Sequence, residues 1–247
     1  MNDVSLLDVY LKQLRLPTFL KNHQKFAQDA VENNYDFAEF LQALAEEEVQ
    51  QREQNRLLRR IKAARFPVMH ELADFDFSRI PSVNKSQILD LTRGEYITKK
   101  ESLIFIGNPG VGKTHLATAL ALSACRQGCK TRFWTAARLV NELLAAQDEH
   151  NFHKLIASSL KMQLIVIDEL GFIPFSPTGA QILFTFCSEL YERISLIITT
   201  NLKFADWVQV FGDERLTAAL LDRLTHHAHM IEMLGESYRF QQRMRKK

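Results

Sequence analysis

Eight residues constrain this 247-residue chain more than any others: Gly107-Asn108-Pro109-Gly110-Val111-Gly112-Lys113-Thr114 satisfies the pattern G-x-x-x-x-G-K-[ST]. The apolar run Leu103 to Ile106 precedes it, and an unbroken helical stretch from His115 to Cys125 follows. Strand, glycine-rich loop and helix in that order are the context in which such a loop cradles phosphate. The glycines let backbone N–H groups turn inward, and the positive end of the helix favours an anion. Lys113 is expected to bridge the β- and γ-phosphates of ATP, and Thr114 to give its hydroxyl to Mg2+. Gly107 through Thr114, with His115 one residue on, form the candidate nucleotide site.

A loop of this kind needs an acidic strand beside it. Leu164-Ile165-Val166-Ile167-Asp168-Glu169 is an apolar run ending in two adjacent carboxylates, which a buried strand tolerates only where its tip meets water or a metal. Asp168 is expected to hold Mg2+ through water, and Glu169 to polarise a water for in-line attack on the γ-phosphate. The alternative is a plain solvent-facing strand end. A third apolar run, Ser195 to Thr200, leads into Asn201, whose amide would orient the attacking water; a turn-forming asparagine is the competing reading. In the helical stretch 213–224, Arg223 is the first candidate and Arg215 the second for an arginine presented to the γ-phosphate of a neighbouring subunit. An ion pair of Arg223 with Asp222 or Glu232 is the structural alternative.

Beyond Lys100 the chain alternates short β-branched or aromatic runs (LIFI, TRFW, LIVI, SLIITT and HMIEM) with helical stretches, the pattern of a parallel sheet covered by helices on both faces. The expected fold class is therefore α/β, a P-loop sheet over residues 101–247. Residues 1–66 read instead as a small all-α domain, and 67–100, broken by Pro67, Pro81 and Gly94, as a connector packed on the sheet domain with a short helix at Asn84 to Leu91. Asp36 with Glu39 is a capping box opening a helix from Ala38 to Ala64, and Pro67 lies just beyond its end. Arg52, Arg56, Arg59 and Lys62 share one face of that helix, with Leu57, Leu58, Ile61 and Ala64 on another.

Charge gives little at the level of the whole chain: 31 Lys plus Arg against 29 Asp plus Glu is a formal +2. It is concentrated locally, in Arg52, Arg56, Arg59, Arg60, Lys62 and Arg65 and in a basic C-terminal run that begins at Arg239. Taken alone, each cluster suits a solvated face as well as a partner surface. No apolar run approaches the ~18 residues of a membrane span, and the acidic N-terminus does not read as a secretory signal, so a cytoplasmic protein is expected. The 3 cysteines form no disulfide framework or metal spacing. His226, His227 and His229 lack a preferred ligand spacing and are taken as a helix end and strand start.

The ordered motifs GNPGVGKTH, LIVIDELG, IITTN and AALLDRL, with LLRRIKAARFP in the helical region and a terminal GESYRF, resemble the IstB family of transposition helper ATPases of bacterial insertion sequences. The resemblance spans nearly the whole chain. It implies an AAA+ domain of the initiator and helicase-loader clade, with extra helices after the second strand at Ala137 to Gln147 and Phe152 to Ser159. It also implies ATP-dependent self-assembly into a helical or ring homo-oligomer on duplex DNA, bending of that DNA, and recruitment or stimulation of a partner transposase. In that context the six cations from Arg52 to Arg65 become candidate duplex contacts, tracking phosphates without reading bases. About sixteen residues follow Ile231, too few for a separate helical lid, and Arg239 is the residue that would stand in for a lid arginine. A DnaC-type replicative helicase loader is the alternative. A small-molecule kinase would need an arginine-rich lid for which no segment exists, and a DNA-architectural protein with structural nucleotide would dispense with Glu169.

Overall fold

The computed structural model describes residues 5–235, 237 and 238. Arg239 and the basic residues after it lie outside the described residues. By its internal contacts the chain divides into two compact units, Met1–Arg59 and Arg60–Lys247.

The first unit is built from helices α1 (Leu6–Gln13), α2 (Pro17–Asn33) and most of α3 (Phe37–Ala64). Its helix ends follow from local chemistry. Pro17 occupies the first turn of α2, where its missing N–H costs nothing, and Asn34 closes that helix in the left-handed region at φ 54°. The capping box forms in both directions: the Asp36 amide donates to Glu39 Oε2 and the Glu39 amide to Asp36 Oδ1, each at 2.8 Å. The buried carboxylate of Glu48 accepts from the Thr18 amide at 2.8 Å and from Arg52 Nε at 2.6 Å, which ties α2 to α3. Burial alone would raise the Glu48 pKa, yet these bonds hold it below the usual carboxylate value.

The second unit contains α4 (Lys85–Leu91), α5 (Glu95–Thr98), β1 (Ser102–Gly107), α6 (Lys113–Arg126), β2 (Thr131–Thr135), α7 (Ala136–Asp148), α8 (Phe152–Ser159), β3 (Leu164–Leu170), α9 (Pro177–Leu190), β4 (Ser195–Thr200), α10 (Val208–Phe211), α11 (Glu214–Thr225) and β5 (Ala228–Met233). The strands form one parallel sheet in the order β2-β3-β4-β1-β5. Alternate residues face opposite layers, as the pleat requires. Leu103, Phe105, Val166, Ile197 and Ile231 join Leu116 and Leu120 of α6 in one core. Ile104, Ile165, Ile167 and Ile198 join Leu139 of α7, Phe186 of α9 and Leu220 of α11 in the other. Burial of both faces explains why β1, β3 and β4 are apolar along most of their length, whereas the edge strand β5 alternates.

Following α3 in the chain, residues 66–83 lie against the α6 side of the sheet, with Phe66, Leu72, Phe75 and Phe77 packed on its core. Glu71 forms a two-pronged ion pair with Arg126 at the end of α6. On the apolar face of α3, Ala64 is buried, whereas Leu58 is 63% exposed.

Candidate nucleotide site

Because the sheet is parallel, the carboxyl ends of β1, β3 and β4 are brought to one edge, where ligands of open α/β sheets bind. The phosphate loop leaves β1 there. Gly110 and Gly112 adopt φ of 85° and 97°, conformations that side chains disfavour. Neighbours enforce the same choice: a Cβ on Gly110 would lie 2.2 Å from Ser237 Oγ, and one on Gly112 2.6 Å from Cε2 of Phe75. The loop opens directly into α6, a helix of 14 residues whose unpaired N-terminal amides supply an anion-binding end.

Lys113 Nζ donates to the carbonyls of Gly107 at 2.6 Å and Asn108 at 2.8 Å, so its ammonium is held across the loop mouth. Its burial lowers the amine's pKa, while the charges of Asp168 and Glu169 act in the opposite direction. One residue on, Thr114 Oγ1 donates to Asp168 Oδ1 at 2.9 Å and Oδ2 at 3.1 Å. The Asp168 carboxylate also accepts from Thr199 Oγ1 at 2.5 Å. Asp168 is 3% exposed. Its pKa is raised by that burial, and the bonds from Thr199 and Thr114 and the charge of Lys113 offset the rise without cancelling it.

Glu169 follows in a different conformation. The register of β3 with β4 shifts between Ile167 and Leu170, and Glu169 adopts φ 60°, uncommon for a residue with a side chain. Its amide donates to Thr199 Oγ1 at 2.9 Å, and its side chain is exposed. Thr199 therefore holds both acidic residues at once. Asn201, the sequence candidate at the same tip, is half-buried just beyond the end of β4. The sequence signal for Thr199 was a hydroxyl near the carboxyl end of an otherwise apolar strand.

His115 turns away from the loop mouth. Its Nε2 lies 2.9 Å from the Glu71 carbonyl, and its ring stacks on His70 at 4.4 Å and meets the edge of Phe75 at 5.3 Å. This aromatic cover from the connector carried no motif in the sequence. The segment after β5 reaches the loop as well: the Tyr238 amide donates to the Gly110 carbonyl at 3.0 Å and Arg79 sits 4.8 Å over the Tyr238 ring.

Arg223 lies elsewhere. Its Nη1 donates to the Ala219 carbonyl at 3.0 Å, its guanidinium stands 4.9 Å over the Phe184 ring, and it lines a crevice with Ser102 and Leu196, at the amino ends of β1 and β4. It pairs with neither Asp222 nor Glu232 among the described residues. Arg215 is exposed. Among the basic residues, Arg52 is engaged by Glu48 and the Arg15 carbonyl, and Arg60 donates to the Cys125 carbonyl at 2.9 Å. Arg56, Arg59, Lys62 and Arg65 are exposed.

A parallel sheet in this order, with a phosphate loop after β1 and an acidic tip on β3 two places away, defines a P-loop ATP-binding protein of the AAA+ class. The chain matches the family described as IstB-like ATP binding protein over residues 9–246, and it belongs to that family. It is 35% identical over 234 residues to an ATP-binding protein of insertion sequence IS5376 from Geobacillus stearothermophilus, a match covering 95% of this chain and 93% of the relative. It is also 35% identical over 238 residues to the corresponding protein of IS232 from Bacillus thuringiensis subsp. berliner, covering 96% and 95%. The crystal structure of the DnaC helicase loader has the same fold, with a TM-score of 0.52 and 22% identity over 60% of this chain and 87% of that one. No helix among the described residues is long and apolar enough to cross a membrane.

Proposed function

We propose that the protein hydrolyses ATP to control its own assembly on duplex DNA, and that the assembly serves a partner transposase. The observation that carries the hydrolytic part is the junction of Thr114, Asp168 and Thr199 at the mouth of the phosphate loop, with the exposed carboxylate of Glu169 beside it. The donor set fits Mg2+, a hard cation that prefers oxygen: a hydroxyl and a carboxylate face each other, and burial of the carboxylate favours a cation next to it. Thr114 and Asp168 would hold the ion, which supplies charge neutralisation to the phosphate oxygens when bound. Lys113 holds the terminal phosphates, Glu169 accepts a proton from the attacking water, and Thr199 fixes the angle between the two acids.

Arg223 supports the assembly part of the reading. It stands at the amino ends of the strands while the phosphate loop stands at their carboxyl ends. An arginine so placed reaches a γ-phosphate only by head-to-tail contact between copies, the geometry that builds rings and helices. Arg56 and Arg59 of the first unit, and Lys62 and Arg65 of the second, are the exposed cations offered to DNA phosphates. Such contacts bind duplex without regard to sequence and weaken with salt. The insertion-sequence names of the relatives support the transposase as the partner.

The experiment is particle size by light scattering with ATP, ADP or neither, each with duplex or single-stranded DNA. Large assemblies that need ATP and duplex are the expected result. Assembly on single strands alone would favour a helicase loader, and particles indifferent to ATP would overturn the switch.

A further inference from the structure

The tight turn between α9 and β4 and the end of α11 bring three metal-ligating side chains together. Glu192, His226 and His227 each offer one ligand atom within 4.8 Å of the others, and all three residues are exposed. His227 Nε2 lies 3.9 Å from Glu192 Oε1, and the two imidazole centroids are 4.0 Å apart. Behind them the Tyr191 hydroxyl sits 2.7 Å from His226 Nδ1. The trio of histidines noted in the sequence does not itself converge, since His229 pairs with Glu101 at 2.8 Å. The third ligand comes instead from Glu192, far away in sequence and held at φ 58° in its turn.

We propose that Glu192, His226 and His227 bind one transition-metal ion of the Zn2+ class, with Tyr191 orienting the His226 ring. Nitrogen and oxygen ligands stand about 2.0–2.2 Å from Zn2+, so ligand atoms around one ion are separated by up to about 4 Å. The His227–Glu192 pair already meets that limit, and exposed side chains can close the remainder. Two imidazoles with one carboxylate suit Zn2+, Ni2+ or Cu2+ rather than Mg2+, which distinguishes this place from the nucleotide site. A phenol oxygen that accepts Nδ1–H leaves the Nε2 lone pair of His226 for the ion, the usual division of labour between a ligating histidine and the group behind it. The negative end of α11 adds to the attraction for a cation, while Arg223 and Lys100, which line the adjoining crevice with His227, oppose it.

The test uses the full chain without an affinity tag or nucleotide, titrated calorimetrically with Zn2+ in excess Mg2+ and spectroscopically with Co2+. One ion per chain and the visible bands of imidazole-ligated Co2+ are expected. Tyr191→Phe weakens binding by about tenfold or more, and His226→Gln with His227→Gln abolishes it. Asp168→Asn leaves it unchanged. Absence of stoichiometric binding overturns the proposal, and so does binding that survives the double histidine substitution or disappears with Asp168→Asn.

Discussion

The hydroxyl of Thr199 donates to Asp168 across 2.5 Å and, with the same oxygen, accepts the amide of Glu169 at 2.9 Å. A hydroxyl has one proton and two lone pairs, so both bonds are satisfied together and their directions are fixed. We therefore expect Thr199→Val to lower the ATPase rate by about one to two orders of magnitude while ATP affinity changes little, because no phosphate contact is lost. Leaving the Asp168 lone pair and the Glu169 amide short of a partner also costs about 1–3 kcal/mol of stability. Steady-state kinetics beside a nucleotide-binding titration checks both.

Lys113 and Glu169 should separate binding from chemistry. Lys113→Ala removes the ammonium at the loop mouth, and ATP binding and ATP-dependent assembly are lost together. Glu169→Gln keeps the shape of the strand tip, binds ATP, and loses about 10²–10⁴-fold in hydrolysis. Its ATP-bound assemblies accumulate, and scattering measured over time with limiting ATP would reveal them.

Gly107 tests the sheet rather than the ligand. Its Cα sits so close to β5 that an added Cβ would lie 2.2 Å from the Met233 carbonyl. Gly107→Ala must part β1 from β5, and a loss of about 2 kcal/mol or more in denaturant unfolding is expected. Gly128→Ala meets no atom within 4 Å and is strained only by its φ of 96°, so its smaller loss serves as the reference.

Burial raises the pKa of Asp168, with a definite consequence for pH. A carboxyl whose folded pKa stands above its unfolded value stabilises the fold when protonated, and that contribution is lost as pH rises through the folded pKa. In buffer without metal or nucleotide, the wild type should therefore gain thermal stability relative to Asp168→Asn as pH falls from neutrality toward the ordinary carboxylate range. Melting curves across that interval measure the difference, and a flat difference would contradict the assignment. Function runs the other way, since a protonated Asp168 cannot hold Mg2+.

For DNA, replacing Arg56 and Arg59 together with Ala should weaken duplex binding for all sequences alike and reduce the log–log salt slope by about 2. Arg60→Ala acts differently, because its guanidinium is bonded to the Cys125 carbonyl. Its main effect should be on stability.

The strands and the phosphate loop were legible because each is a local pattern: apolar runs of the right length, glycines at the turn, acids at a tip. The capping box at Asp36 and Glu39 was legible for the same reason. What sequence could not supply was pairing across strands. Thr199 meets Asp168 only because β3 lies beside β4, and Phe75 covers Gly112 only because the connector folds back over α6. Spacing likewise placed Arg52 on the basic face of α3 without revealing its ion pair with the buried Glu48.

The left-handed backbone at Glu169 takes its amide out of the strand ladder and gives it to a side chain. That single N–H is thus a natural spectroscopic probe. Its exchange rate and chemical shift follow the Thr199 hydroxyl, and through it the charge on Asp168, without any label at the site. An isotope-labelled sample watched at one amide resonance would read out the filling and emptying of the nucleotide pocket in the unmodified protein.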